Sequence, residues 1–160
     1  MRIVLLAAAL ALAACPLVGC SGAEDSDAKF QRDLAAASEQ ARGKLDYFWE
    51  HFEAGQPNEY DFQLKAAFPR RDGQEGTEDA WVENLARGAD KYVGELMVDP
   101  LYLGDLREGA IMEFAEPQIV DWSFISNDKL IGGYTTRVML PRMDAERAEG
   151  LRSMLGENPK

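Results

Sequence analysis

Residues 59–68 read EYDFQLKAAF, Glu59 to Phe68. Here the spacing of apolar residues changes. Tyr60, Phe62, Leu64, Ala66 and Phe68 alternate with Asp61, Gln63, Lys65 and Ala67, the period of two that a half-buried strand requires. Upstream the period is helical. Phe30, Leu34, Ala41, Leu45, Phe48 and Phe52 fall on one face of a helix over 28–53, with Ala37 or Ala41 filling the middle turn. Ser26 or Asp27 can cap its start. Gly43 bends or divides it at a cost of about 1 kcal/mol, and Gly55 and Pro57 stop it. Tyr47 and Trp49 flank the stripe, and aromatics at this spacing read as core.

Downstream, 69–76 (PRRDGQEG) is a turn-rich loop. Strands are predicted over 80–85 and 91–98, with a turn at 87–90. Asp99-Pro100 breaks pairing, and loop continues to Gly109. Further strands are predicted over 110–115 and 118–124, separated at Pro117. Ser126-Asn127-Asp128 is a hairpin turn. A last strand over 130–140, kinked at Gly132-Gly133, ends at Pro141. A short helix over 144–155 follows, capped by Asp144, with Ala148, Leu151 and Leu155 inward. The tail beyond Gly156 is expected to fray. Strands grouped between helices define an α+β fold. The expectation is a long N-terminal helix packed on a curved, mainly antiparallel sheet of about six strands, curled towards an open barrel, with a short C-terminal helix.

The first residues have a different character. Arg2 precedes an apolar run over 3–14. A dozen residues are too few to cross about 30 Å of hydrocarbon but suit a signal-peptide core. Leu17-Val18-Gly19-Cys20 resembles the lipobox of bacterial lipoproteins, in which small residues precede a cysteine that receives lipid. Leu12-Ala13-Ala14-Cys15 is a rival, disfavoured because Pro16 would follow the modified residue. The expected organisation is a signal peptide over 1–19, a tether over 20–27, one α+β domain over 28–156 and a tail over 157–160. Lipidation at Cys20 leaves no thiol for a disulfide framework. Two or three acyl chains make a lasting anchor, where one is marginal. The expected address is therefore the cell envelope. Ser21 after the cysteine resembles an outer-membrane sorting signal, which places the protein on the periplasmic face of that membrane if the host is Gram-negative.

The segments Ala80-Trp81-Val82, Val93-Gly94-Glu95-Leu96, Asp99-Pro100, Asp121-Trp122-Ser123-Phe124 and Gly132-Gly133-Tyr134-Thr135-Thr136-Arg137 resemble in order and spacing the YegJ-like bacterial family (DUF2314). Gly109, Leu45-Asp46-Tyr47-Phe48 and Phe62-Gln63-Leu64-Lys65 also fit. The family pattern often has Asn-Pro where this chain has Asp99-Pro100. The resemblance implies a shared fold and carries over no activity or catalytic residue.

A net charge of −11 repels phosphate backbones, which disfavours nucleic acid and leaves a basic protein as a possible partner. The chain has one histidine, His51, and both cysteines lie in the leader. A zinc site or a histidine-based nucleophile therefore lacks its ligands or its partners. No cofactor-binding loop is visible, since Gly132-Gly133 lacks the lysine and spacing of a phosphate loop. The candidate ligand-binding group is Asp121, Trp122, Thr135, Thr136 and Arg137, with Trp81. If 118–124 pairs with 130–140, Asp121 and Arg137 lie on neighbouring strands. They form a sheet-face ion pair, or Arg137 presents its fork to an anionic ligand beside the threonine hydroxyls. Glu83 and Glu95 could meet across a hairpin as paired carboxylates. Three classes follow: a non-catalytic protein- or ligand-binding module, an acid/base hydrolase or lyase using Asp121 with Arg137, and a toxin-neutralising binding protein.

Overall fold

The computed structural model describes residues 21–159. Cys20, Cys15 and the leader lie outside the described residues. The first helical segment is two helices, α1 (Ser21–Arg42) and α2 (Leu45–Ala54). Gly43 therefore divides the helix. The carbonyl of Ala41 freed at the break accepts from the Lys44 amide at 3.1 Å and from the Trp122 indole N–H at 2.8 Å. The first turns of α1 run through the stretch read as a tether. Asp27 there accepts from Arg142 at 2.7 Å, whose guanidinium also lies 3.7 Å from the Phe30 ring. Gly55 ends α2 in a left-handed conformation, φ 57°.

The strands are β1 (Glu59–Pro69), β2 (Thr77–Arg87), β3 (Tyr92–Leu96), β4 (Ile111–Phe114), β5 (Ile119–Ser126) and β6 (Lys129–Gly132). They form one six-stranded sheet ordered β4-β3-β2-β1-β5-β6, with every pair antiparallel. The α+β architecture is as expected. The sheet does not close into a barrel, because β4 and β6 remain its edges. Asn127 and Asp128 form the two-residue turn between β5 and β6 with φ of 49° and 62°. Those are the positive angles that match the twist of paired strands.

Alternation sorts the two sheet faces. Leu64, Ala66, Phe68, Val82, Trp122 and Phe124 are buried against α1 and α2, together with Phe48 and Trp49. Tyr60 was expected on this face but is 46% exposed. The backbone at Asp61 turns to φ 53°, and the β1–β5 register shifts between Tyr60 and Gln63. A bulge at that point moves everything before it off the alternation.

The predicted last strand requires a correction. Pairing stops at Gly132, and Tyr134–Met139 is a helix, α3. A single turn of 3-10 helix (Leu140–Arg142) and α4 (Ala145–Met154) follow. Gly132 and Gly133 both take positive φ, 82° and 63°. A Cβ on Gly132 would lie 2.3 Å from the Trp122 carbonyl oxygen. The pair is thus the corner at which the chain leaves the sheet, not a kink within a strand. Asp144 caps α4, accepting from the Arg147 amide at 2.8 Å, and Ala148 is buried. Leu155 bridges Leu130, and the Gly156 amide donates to the Leu130 carbonyl at 2.9 Å. In the tail expected to fray, Asn158 is held: its Oδ1 accepts from the Gly132 amide at 3.0 Å and from Arg137 Nη2 at 2.9 Å.

Candidate functional site

The group singled out around Asp121 is assembled by the corner between β6 and α3. Its members do not act together. Asp121 is fully buried. One carboxylate oxygen accepts the amides of Trp122 at 2.8 Å and Tyr134 at 3.0 Å. The other accepts the amide of Thr135 at 2.8 Å and its hydroxyl at 2.6 Å. The carboxylate therefore caps α3 from a neighbouring strand, occupying the amides that begin every helix without partners. Burial pushes the Asp121 carboxyl above the ordinary aspartate range, while the Thr135 hydroxyl and the three amides pull the other way. All four contacts are donors, and they offset part of the burial penalty on the charged form.

Arg137 does not pair with Asp121. Its Nε donates to the Gly132 carbonyl at 3.0 Å, and its Nη2 donates to Gly156 O at 2.8 Å and Asn158 Oδ1 at 2.9 Å. It ties the C-terminal segment to the glycine corner. The expected ion pair rested on a strand through 140. The helix instead carries Arg137 around the corner to the carbonyls. Arg137 also borders a hollow of about 320 Å³ between α1 and α3, with Asp33, Gln40 and Tyr134. Trp122 is core, with no exposed surface. Glu83 and Glu95 do face each other in register. Glu95 accepts from Asn84 at 3.0 Å on the open part of the sheet, and neither borders the main groove.

That groove, about 360 Å³, lies on the sheet face opposite α1 and α2. β1 supplies Gln63 and Lys65, β2 supplies Asp79 and Trp81, and β5 supplies Ser123. The opposite wall is built by the C-terminal helices, with Thr136 and Met139 from α3, Met143 after it, and Arg147 and Leu151 from α4. Lys65 and Trp81 are directly opposed in the β1–β2 register, and Lys65 Nζ lies 5.9 Å from the Trp81 ring centroid. The groove mixes apolar walls with a few convergent polar groups, the usual make-up of a small-molecule site. Of the predicted ligand-binding residues, Trp81 and Thr136 border it, whereas Asp121, Trp122, Thr135 and Arg137 do not. Sequence reasoning missed Lys65, Arg147, Ser123 and Met139 as site residues. No periodic signal marked the helix at that position: Tyr134 and Val138 are a single pair four residues apart, and the two glycines before them read as a kink in a strand.

A cluster at the C-terminal end of α2 is separate. His51 Nδ1 lies 2.8 Å and 2.9 Å from the Glu59 carboxylate oxygens, of which Oε1 also accepts from the Ser126 hydroxyl at 3.1 Å. The His51 ring packs between Tyr47 and Phe124, with centroids 4.2 Å and 5.2 Å away. The serine donates to the glutamate and not to the imidazole, so this is not a nucleophile–base relay. Among the described residues, no group of His, Cys, Asp and Glu is placed to hold a metal, and no helix is long and apolar enough to cross a membrane.

An α+β domain with a helix-capping aspartate beneath a glycine corner, and a groove between sheet and C-terminal helices, is thus the class of structure at hand. The chain belongs to the bacterial family described as "Uncharacterized protein conserved in bacteria" (DUF2314), whose model matches residues 31–156. It is similar to a curated relative, "Uncharacterized protein YegJ" of Escherichia coli (strain K12), with 28% identity over 79 residues. That match covers 49% of this chain and 52% of the relative, so the chain spans about half the length of the curated protein it matches. No solved structure matches it.

Proposed function

We propose that the protein is a non-catalytic binding module of the bacterial cell envelope, lipid-anchored through Cys20, that takes its ligand in the groove between the sheet and α3–α4. The observation that carries this reading is the groove itself. Five elements bring Lys65, Trp81, Ser123, Thr136 and Arg147 to one cavity, where they serve recognition. The alternative, an acid/base hydrolase or lyase using Asp121 with Arg137, loses its support. Asp121 is sealed with both oxygens occupied by donors, and a group that performs proton transfer must reach the substrate. The lipobox-like Leu17-Val18-Gly19-Cys20 and the apolar run before it support the envelope address. A protein partner, including a toxin neutralised by binding, would be an added use of the acidic surface.

Two measurements test the reading. Palmitate labelling of the expressed precursor should mark the wild type and be lost in Cys20→Ala. Retention of label in Cys20→Ala refutes the anchor assignment. A ligand-observed NMR screen of small fragments should give hits that compete with one another and are lost in Thr136→Arg, which fills the groove. Turnover of an ester, glycoside or peptide panel that disappears in Asp121→Asn overturns the non-catalytic assignment.

A further inference from the structure

We propose that the ligand of this groove is a small amphiphilic carboxylate, an inference that rests on the groove-binding reading and names its chemistry. Charge is the first argument. Lys29, Arg42, Arg70, Arg87, Lys91, Arg142 and Arg152 each pair with a carboxylate. Lys65 and Arg147 have no carboxylate partner among the described residues; Arg32, Arg71, Arg107, Lys129 and Arg137 form no ion pair there either, but of these cations only Lys65 and Arg147 border the groove. They come from β1 and α4 and converge on one cavity. Two unspent cations between low-dielectric walls focus a positive potential on a protein that is elsewhere acidic.

The balance of charge sets the valence. Asp79 borders the same groove, leaving one net positive charge among its side chains. Asp121, opposite Lys65 in the β1–β5 register, is sealed beneath and turned to its own donors. One net charge matches a monoanion better than a phosphate monoester, which carries about −1.5 to −2 near neutral pH. A carboxylate also accepts the planar fork of a guanidinium, with Lys65 as a point charge and the Ser123 and Thr136 hydroxyls as further donors.

The rest of the lining sets the remainder of the ligand. Met139, Met143 and Leu151 lie on the helix side and Trp81 and Leu130 on the sheet side. Methionine adapts to irregular apolar shapes. Trp49 and Trp122 are buried, whereas Trp81 is only half-buried. The volume of about 360 Å³ equals about a dozen waters at ~30 Å³ each. This is the size of a medium-chain or arylalkyl acid.

The test is titration of the purified protein with octanoate, octanol and octylamine, followed by tryptophan fluorescence. Trp81→Phe identifies the reporter. Octanoate should bind saturably, at least tenfold more tightly than octanol, with no saturable response to octylamine. Lys65→Gln and Arg147→Gln should each weaken octanoate about tenfold, the scale of one charge-assisted hydrogen bond, and leave octanol unchanged. Asp79→Asn should strengthen octanoate several-fold. All three replacements are at partly or fully exposed positions, so unchanged thermal melts should accompany them. Equal binding of octanoate and octanol, or preference for octylamine, overturns the carboxylate assignment and leaves the groove reading standing. If no probe binds and no fragment is displaced in Thr136→Arg, both fall.

Discussion

Replacing Asp121 by asparagine tests the central joint of this fold. The substitution is isosteric but changes one acceptor oxygen into a donor. The carboxylate now serves the amides of Trp122, Tyr134 and Thr135 and the Thr135 hydroxyl. In Asp121→Asn the remaining oxygen can still serve Trp122 and Tyr134, and the Thr135 hydroxyl can rotate to accept. The Thr135 amide cannot, and it is left facing another N–H in a fully buried position. An orphaned buried donor costs about 1–3 kcal/mol. The expected destabilisation is about 1–3 kcal/mol at neutral pH, a drop in Tm of about 4–12 °C for a domain of this size. The pH dependence has a definite sign. Burial raises the Asp121 pKa in the folded state above its unfolded value near ~3.9. Its favourable contribution is therefore full below that unfolded value and declines as pH rises through the folded pKa. The gap between wild type and Asp121→Asn should narrow from pH ~4 upward, then level off. Thermal melts followed by circular dichroism from about pH 3 to about pH 8 measure both. A variant melting within a degree or so of wild type at neutral pH would refute the four-donor cage, and a gap that widens with pH would refute the direction of the shift.

Gly132→Ala should be more damaging. Its Cβ would meet the Trp122 carbonyl oxygen at 2.3 Å and that residue's ring at 2.5 Å, at a φ of 82°. A loss of about 3–5 kcal/mol is expected, read as little soluble protein or a much lower denaturation midpoint; a midpoint near that of wild type would count against this corner. Arg137→Lys keeps the charge but cannot reach the Gly132, Gly156 and Asn158 acceptors together. It should release the tail, seen as faster amide exchange at Gly156 with the β1–β2 ladder unchanged.

Much of the architecture was legible in the chain itself. The switch from helical spacing to alternation at Glu59 located the boundary between α2 and β1, because side-chain periodicity is a local property of backbone geometry. Gly55, Asn127-Asp128 and Asp144 acted where their local chemistry predicts. The bulge at Asp61 and the helix over Tyr134–Met139 were not legible. A six-residue helix has too little periodicity to declare itself, and its stability comes from Asp121, 13 and 14 residues away from the amides it caps.

The candidate site divides the same way. The sequence by itself determined that the protein is acidic, that its folded part is an α+β domain with strands grouped between helices, and that Asp121 and the glycine pair matter. Only the tertiary structure decided what they do. It turned Asp121 into a helix cap, sent Arg137 to Gly132, Gly156 and Asn158, and brought Lys65 of β1 and Arg147 of α4 to one groove. Local spacing records which face of a strand a residue occupies. It does not record which distant helix will cover that face, because that choice depends on burial and hydrogen-bond satisfaction summed over the whole chain.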